Sequence, residues 1–119
     1  MKRFWSHWGN FTILGVGVLG VYYPALLTFF AQDDFTHLRI SKAESVIDGL
    51  NFFVPRADAI FYRPLSVQIY TWLSRLVFGL NPFGYHAVAL GFHLMAVYVV
   101  YRLLKNWLNA KTSWLGAFI

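Results

Sequence analysis

The sequence contains no cysteine. That excludes a disulfide framework, a thiolate nucleophile and a Cys-ligated zinc site, and it leaves carboxylates and histidines as the side chains on which a metal could rest. Charge is also scarce, at 13% Asp, Glu, Lys and Arg, where a soluble domain carries roughly a quarter. All five acidic residues (Asp33, Asp34, Glu44, Asp48, Asp58) fall in one stretch, and the bases form no stripe, so the net charge of +5 is not a nucleic-acid footprint. No glycine-rich phosphate loop, G-x-S-x-G elbow or H-E-x-x-H helix occurs, so the motifs of soluble enzymes are missing. What the chain has instead is 58% hydrophobic and 20% aromatic residues. It is composed to dissolve in lipid.

Phe11 to Phe30 is an uncharged run of 20 residues, which at ~1.5 Å per residue matches the ~30 Å hydrocarbon core and predicts a transmembrane helix over 11–30. A cleaved signal peptide would share the basic start at Lys2 and Arg3. The run is too long for one, however, and Phe29-Phe30-Ala31 lacks the small-x-small cleavage pattern. Gly15, Gly17 and Gly20 flatten one side of this helix for close packing. A polar loop, 31–82, follows the 1–10 terminus and the first span. In it, Ser41-Lys42-Ala43-Glu44 has capping-box spacing and Gly49 is a stop signal, predicting a short helix over Lys42 to Asp48. Pro64 opens an amphipathic helix over 65–80, with Leu65, Ile69, Trp72, Leu73 and Leu76 on one face and Gln68, Thr71 and Arg75 on another. Asn81-Pro82 breaks the chain before a second span, 83–104, a connection at 105–112 and an apolar start of a third span at 113–119. A natural protein seldom ends seven residues into a membrane segment, so the chain is expected to be the N-terminal piece of a longer one. Trp5, Trp8, Trp107 and Trp114 flank the spans as an interfacial belt does.

Charge decides whether 65–80 also crosses. If it lies in the interface, Lys2, Arg3, Arg102, Lys105 and Lys111 share one side, which the positive-inside rule makes cytoplasmic. If it crosses, the turn at Asn81-Pro82 faces the cytoplasm with no positive residue. The expected fold is therefore all-α and integral to the membrane: two transmembrane helices and the start of a third, with an extracytoplasmic loop that holds a short helix and an amphipathic interfacial helix.

The sharpest local signal is Asp33-Asp34, two like charges just past the first span. They read either as solvated loop carboxylates, with Asp34 capping a helix that starts near Phe35, or as a general base or cation site. Arg63, beside Tyr62, reads as a phosphate-binding guanidinium or as a snorkelling or ion-paired arginine. Arg39, Lys42 and Arg56 offer the same chemistry with less to favour them. His86 and His93 are seven apart, two helical turns or ~10 Å, too far to share one metal ion. His93 lies deep in the apolar run and reads as an interhelical hydrogen-bonding group or as a functional intramembrane polar site. His7 and His37 show nothing specific.

In sequence order, a basic start, one span, Asp33-Asp34, a loop ending in Tyr62-Arg63-Pro64, the stretch Phe78-Gly79-Leu80-Asn81-Pro82-Phe83-Gly84-Tyr85-His86 and a span carrying His93 resemble the N-terminal region of the GT-C glycosyltransferases. These polytopic enzymes include protein O-mannosyltransferases and aminoarabinose transferases, and the Arg-Pro and Phe-Gly-Leu-Asn-Pro stretches look most like the bacterial members. The resemblance covers Phe11 to about Lys105. It implies transfer of a sugar from a polyprenyl-phosphate donor to a hydroxyl acceptor on the extracytoplasmic side of a bacterial inner membrane. Asp33 or Asp34 would serve as general base or, in metal-dependent branches, as ligand to a divalent cation such as Mg or Mn. Chemistry adds Arg63, with Tyr62, as a contact for the departing phosphate. Such enzymes need many more spans, so this chain alone is expected to be inactive. Two other classes remain open: a non-catalytic membrane subunit or scaffold, in which the acidic pair is merely solvated, and a transporter fragment in which His93 lines a water-filled path.

Overall fold

A computed structural model describes residues 2–55, 57 and 62–118, with side chains from residue 9 onward. Arg56 and Asp58 lie outside the described residues, as do Ile119 and the side chains of Lys2, Arg3, Trp5, His7 and Trp8. Every regular element among the described residues is helical: α1 (Lys2–Tyr22), α2 (Gln32–Ile40), α3 (Val46–Leu50), α4 (Tyr70–Phe78), α5 (Pro82–Leu104) and α6 (Ala110–Phe118). A 3₁₀ turn over Tyr23–Leu27 continues α1, another over Asn51–Phe53 follows α3, and a π-helical turn over Pro64–Ile69 leads into α4. The chain divides into two compact units, one made of residues 1–27 and 86–119, the other of 28–85.

The first unit is built on helices that are apolar nearly all round. Gly9–Leu27 and Pro82–Leu104 are long and apolar enough to cross a membrane. Only 11% and 17% of their apolar windows are buried within the chain. What they bury is a narrow stripe with i, i+4 spacing: Leu14 and Val18 of α1, Val97 and Tyr101 of α5, and Ala117 of α6, flanked by Leu90, Leu94 and Trp114. Ile13, Val16, Val21, Phe92 and Met95 all face outward. The α-helical part of α1 ends at Tyr22 because Pro24 has no N–H to give the ladder, and the next turn tightens to 3₁₀. Of the three glycines expected to flatten α1, one does so. A Cβ on Gly17 would lie 3.0 Å from the Phe118 ring of α6, while Gly15 and Gly20 face open space.

The second unit packs aromatic rings around small polar groups. Phe30 is buried edge-on to Tyr85 at 5.1 Å, and Phe52 lies edge-on to Trp72 at 6.2 Å. Trp72 Nε1–H donates to the Ala43 carbonyl at 3.0 Å, and its ring sits where a Cβ on Gly49 would be only 3.1 Å away. The short helix starts later than Ser41-x-x-Glu44 predicts. Ser45 is its N-cap, with Oγ accepting from Asp48 N–H at 3.1 Å, and the Asp48 carboxylate accepts from Ser45 N–H at 3.0 Å. Ser41 is spent ending α2, its N–H donating to His37 O at 3.1 Å.

The segment Pro64–Phe78 is amphipathic as expected, and in this unit it turns its polar side inward. Gln68 is 4% exposed and Thr71 and Ser74 5%, whereas Leu65, Leu76 and Val77 are 66, 65 and 73% exposed. Its 15 residues extend to about 22 Å at most, short of the ~30 Å needed to cross a bilayer. Gly79, at φ 61°, then reverses the chain in a conformation only glycine adopts without strain, and its carbonyl accepts from Tyr85 O–H at 2.8 Å.

Candidate functional site

The acidic pair sits on α2, not in an open loop. The helix begins at Gln32, earlier than a cap at Asp34 would place it, and both aspartates fall in its first turn, where the helix dipole favours negative charge. They are not equivalent. Asp34 is half-buried and its Oδ2 accepts the Ala31 N–H at 2.8 Å, so the carboxylate satisfies a backbone donor that the helix leaves unpaired. Asp33, one position earlier, is exposed. Side chains at successive helix positions point about 100° apart. One of the two carboxylates therefore already has a structural task, and the other is exposed.

Arg63 caps the π-helical turn Pro64–Ile69 and is exposed, its carbonyl accepting from Val67 N–H at 3.1 Å. Proline at the first position fixes the start of that turn, because its missing N–H has no acceptor there to lose. Tyr62 is exposed and its hydroxyl donates to the Phe53 carbonyl at 2.6 Å, which ties the approach to Arg63 back to the turn after α3. Helix α2 packs against both Pro64–Ile69 and α4. The element carrying Asp33 and the element headed by Arg63 are thus neighbours in one compact unit, though 30 positions apart in sequence. Of the other cations named, Arg39 and Lys42 are exposed at and just beyond the end of the same helix.

His93 belongs to the other unit. It is exposed on α5, edge-on to Tyr22 with ring centroids 4.8 Å apart, and lines a cavity of about 210 Å³ with Tyr22, Leu26, His86 and Leu90. The seven-residue spacing does put both imidazoles on one face. No three His, Asp or Glu side chains are grouped to hold a metal ion among the described residues.

Sequence reasoning passed over Trp72 and Tyr70 as site-forming residues. Trp72 reaches across 29 positions to Ala43, and Tyr70 O–H donates to the Tyr85 carbonyl, so these two side chains fix the helix behind Arg63. Their signal was present but mute: a Trp and a Tyr inside an amphipathic helix are amphipathic groups needing one polar partner each, and the sequence does not say where the partner lies. Comparison of the chain with known protein families, with characterised proteins and with solved structures finds no match.

Proposed function

We propose that this chain is the N-terminal part of a membrane glycosyltransferase that moves a sugar from a polyprenyl-phosphate carrier to a hydroxyl acceptor on the extracytoplasmic face of a bacterial inner membrane. The order of sequence features resembling the GT-C enzymes supports this reading, and the packing of α2 against the Arg63-headed turn is the one structural observation that carries it. The two apolar helices cross the bilayer with the N-terminus cytoplasmic, α6 begins a third crossing, and the segment between the two crossings meets the headgroups. A donor whose tail stays in lipid then presents its phosphate at the depth of that segment.

The capping bond of Asp34 and the exposure of Asp33 support Asp33 as the general base. Its exposed carboxylate takes the proton of the acceptor hydroxyl as that oxygen attacks the anomeric carbon. The bond from that carbon to the phosphate oxygen breaks, and the electron pair leaves with polyprenyl phosphate, whose charge Arg63 stabilises, with Tyr62 alongside. In a metal-dependent branch the same exposed Asp33 carboxylate would be one ligand to a divalent cation such as Mg or Mn.

The test is transfer activity in membranes carrying the protein in its complete reading frame, with a polyprenyl-phosphate-sugar donor. Asp33→Asn is expected to lower turnover by about 10²–10⁴-fold, the usual worth of a positioned base. Asp34→Asn keeps an acceptor oxygen for Ala31 N–H and is expected to stay within about tenfold of wild type. Equal, wild-type turnover in both variants would reduce the pair to helix-capping carboxylates, and the non-catalytic scaffold would become the better reading.

A further inference from the structure

The first unit has a second cavity, which the transfer chemistry does not use. It lies between α1 and α6, has a volume of about 370 Å³, and is lined by Asn10, Ile13, Lys111, Trp114 and Leu115, with Ala110 at its edge. The two helices run in parallel register here: Asn10 and Lys111 line the cavity together, Ile13 and Leu115 lie about one turn further along each helix, and Gly17 meets Phe118 beyond them. The cavity is an open groove that sets a cation and an amide beside an indole and two outward apolar side chains, Ile13 at 62% and Leu115 at 57% exposed. It sits at the end of α1 where the apolar stretch begins at Gly9.

Charge singles out the occupant. The sequence of this unit holds Lys2, Arg3, Arg102, Lys105 and Lys111 and no Asp or Glu at all. Arg102 donates to Tyr98 Oη at 2.9 Å and Lys105 lies 5.7 Å from the Tyr101 ring centroid, so both turn to aromatic partners, while Lys111 lines the cavity. A lipid phosphate supplies the negative charge that the unit lacks. The ammonium group of a zwitterionic lipid is repelled by Lys111, and a free phosphate has nothing to lay on Ile13 and Leu115. We propose that this cavity seats one anionic glycerophospholipid, its phosphate on Lys111 and the Asn10 amide and the first methylenes of an acyl chain along Ile13 and Leu115. The proposal rests on the membrane-crossing part of the reading above and not on glycosyl transfer.

Native mass spectrometry of the detergent-purified full chain tests it, with phosphatidylglycerol and phosphatidylcholine of identical acyl chains as competing probes. The wild type is expected to retain phosphatidylglycerol about fivefold better, the selectivity one lysine provides near a headgroup. Lys111→Gln should erase that preference, while Lys111→Arg and Lys105→Gln keep it. Equal retention of the two lipids, an unchanged preference in Lys111→Gln, displacement of the lipid by excess inorganic phosphate, or a lipid-free dimer would each overturn the proposal. Extraction of the protein from membranes by an alkaline wash would remove its premise, a failure read without any transfer assay.

Discussion

A serine hydroxyl stabilises a helix start only where unpaired backbone N–H groups lie ahead of it. Ser45 meets that condition and Ser41 does not: Ser45 Oγ accepts from Asp48 N–H, while Ser41 is 1% exposed with its Oγ unpartnered at the end of α2. The two positions should respond oppositely to alanine. Ser45→Ala is expected to cost about 1 kcal/mol locally, read as roughly fivefold faster amide exchange in the first turn of α3. Ser41→Ala removes a buried hydroxyl that makes no bond and should leave stability unchanged or slightly higher. Slower exchange in α3 for Ser45→Ala than for Ser41→Ala would move the cap back to Ser41. Both serines are followed three positions later by an acid, and the expected start at Ser41 follows the one with Glu, which the capping box favours over Asp. Between the two serines the Ala43 carbonyl accepts from Trp72 Nε1–H, 29 positions away. No local pattern contains that contact. The same limit applies to the acidic pair, which was legible as a pair in the sequence but not as one capping carboxylate and one exposed one.

Among elements, the two long apolar helices were legible because nothing competes with an uninterrupted apolar run of that length. The Pro64–Phe78 segment was legible as amphipathic, and periodicity does go that far. It does not say which face is covered, because a 3.6-residue pattern is the same whether the surroundings are water or lipid. In the structure Gln68, Thr71 and Ser74 are the covered side, and Leu65, Leu76 and Val77 face outward. Glycines show the same split between pattern and contact. At Gly17 the space is taken by the Phe118 ring, so Gly17→Val is expected to separate α6 from α1 and destabilise the first unit by about 1–3 kcal/mol. At Gly20 the space is open, and Gly20→Ala should be neutral or stabilising by up to about 1 kcal/mol through its better helix propensity. Thermal melting in detergent, followed by circular dichroism, measures both, and equal shifts in the two variants would show that Phe118 does not pack on Gly17.

For the molecule as a whole, the proposed function requires two crossings, and the missing cysteines make their number directly measurable. Any cysteine introduced is the sole thiol in the chain. Glu44 and Asn106 are both exposed, one between the two apolar helices and one after the second. With two crossings they lie on opposite sides of the membrane; with a third crossing at 65–80 they lie on the same side. The short Pro64–Phe78 segment and its inward polar side argue for two, as does the collection of five bases at the ends of the apolar helices. In intact spheroplasts, a membrane-impermeant maleimide is therefore expected to label Glu44→Cys and to spare Asn106→Cys until the membrane is permeabilised. Labelling of both from outside would make 65–80 a crossing helix and would take Lys105 and Lys111 out of the cytoplasm. That outcome would put Lys111 and Asn10 on opposite sides of the membrane, where they cannot line one cavity, and would leave Arg63 on the side of the acidic pair, so this one experiment separates the two proposals by what each requires of the topology.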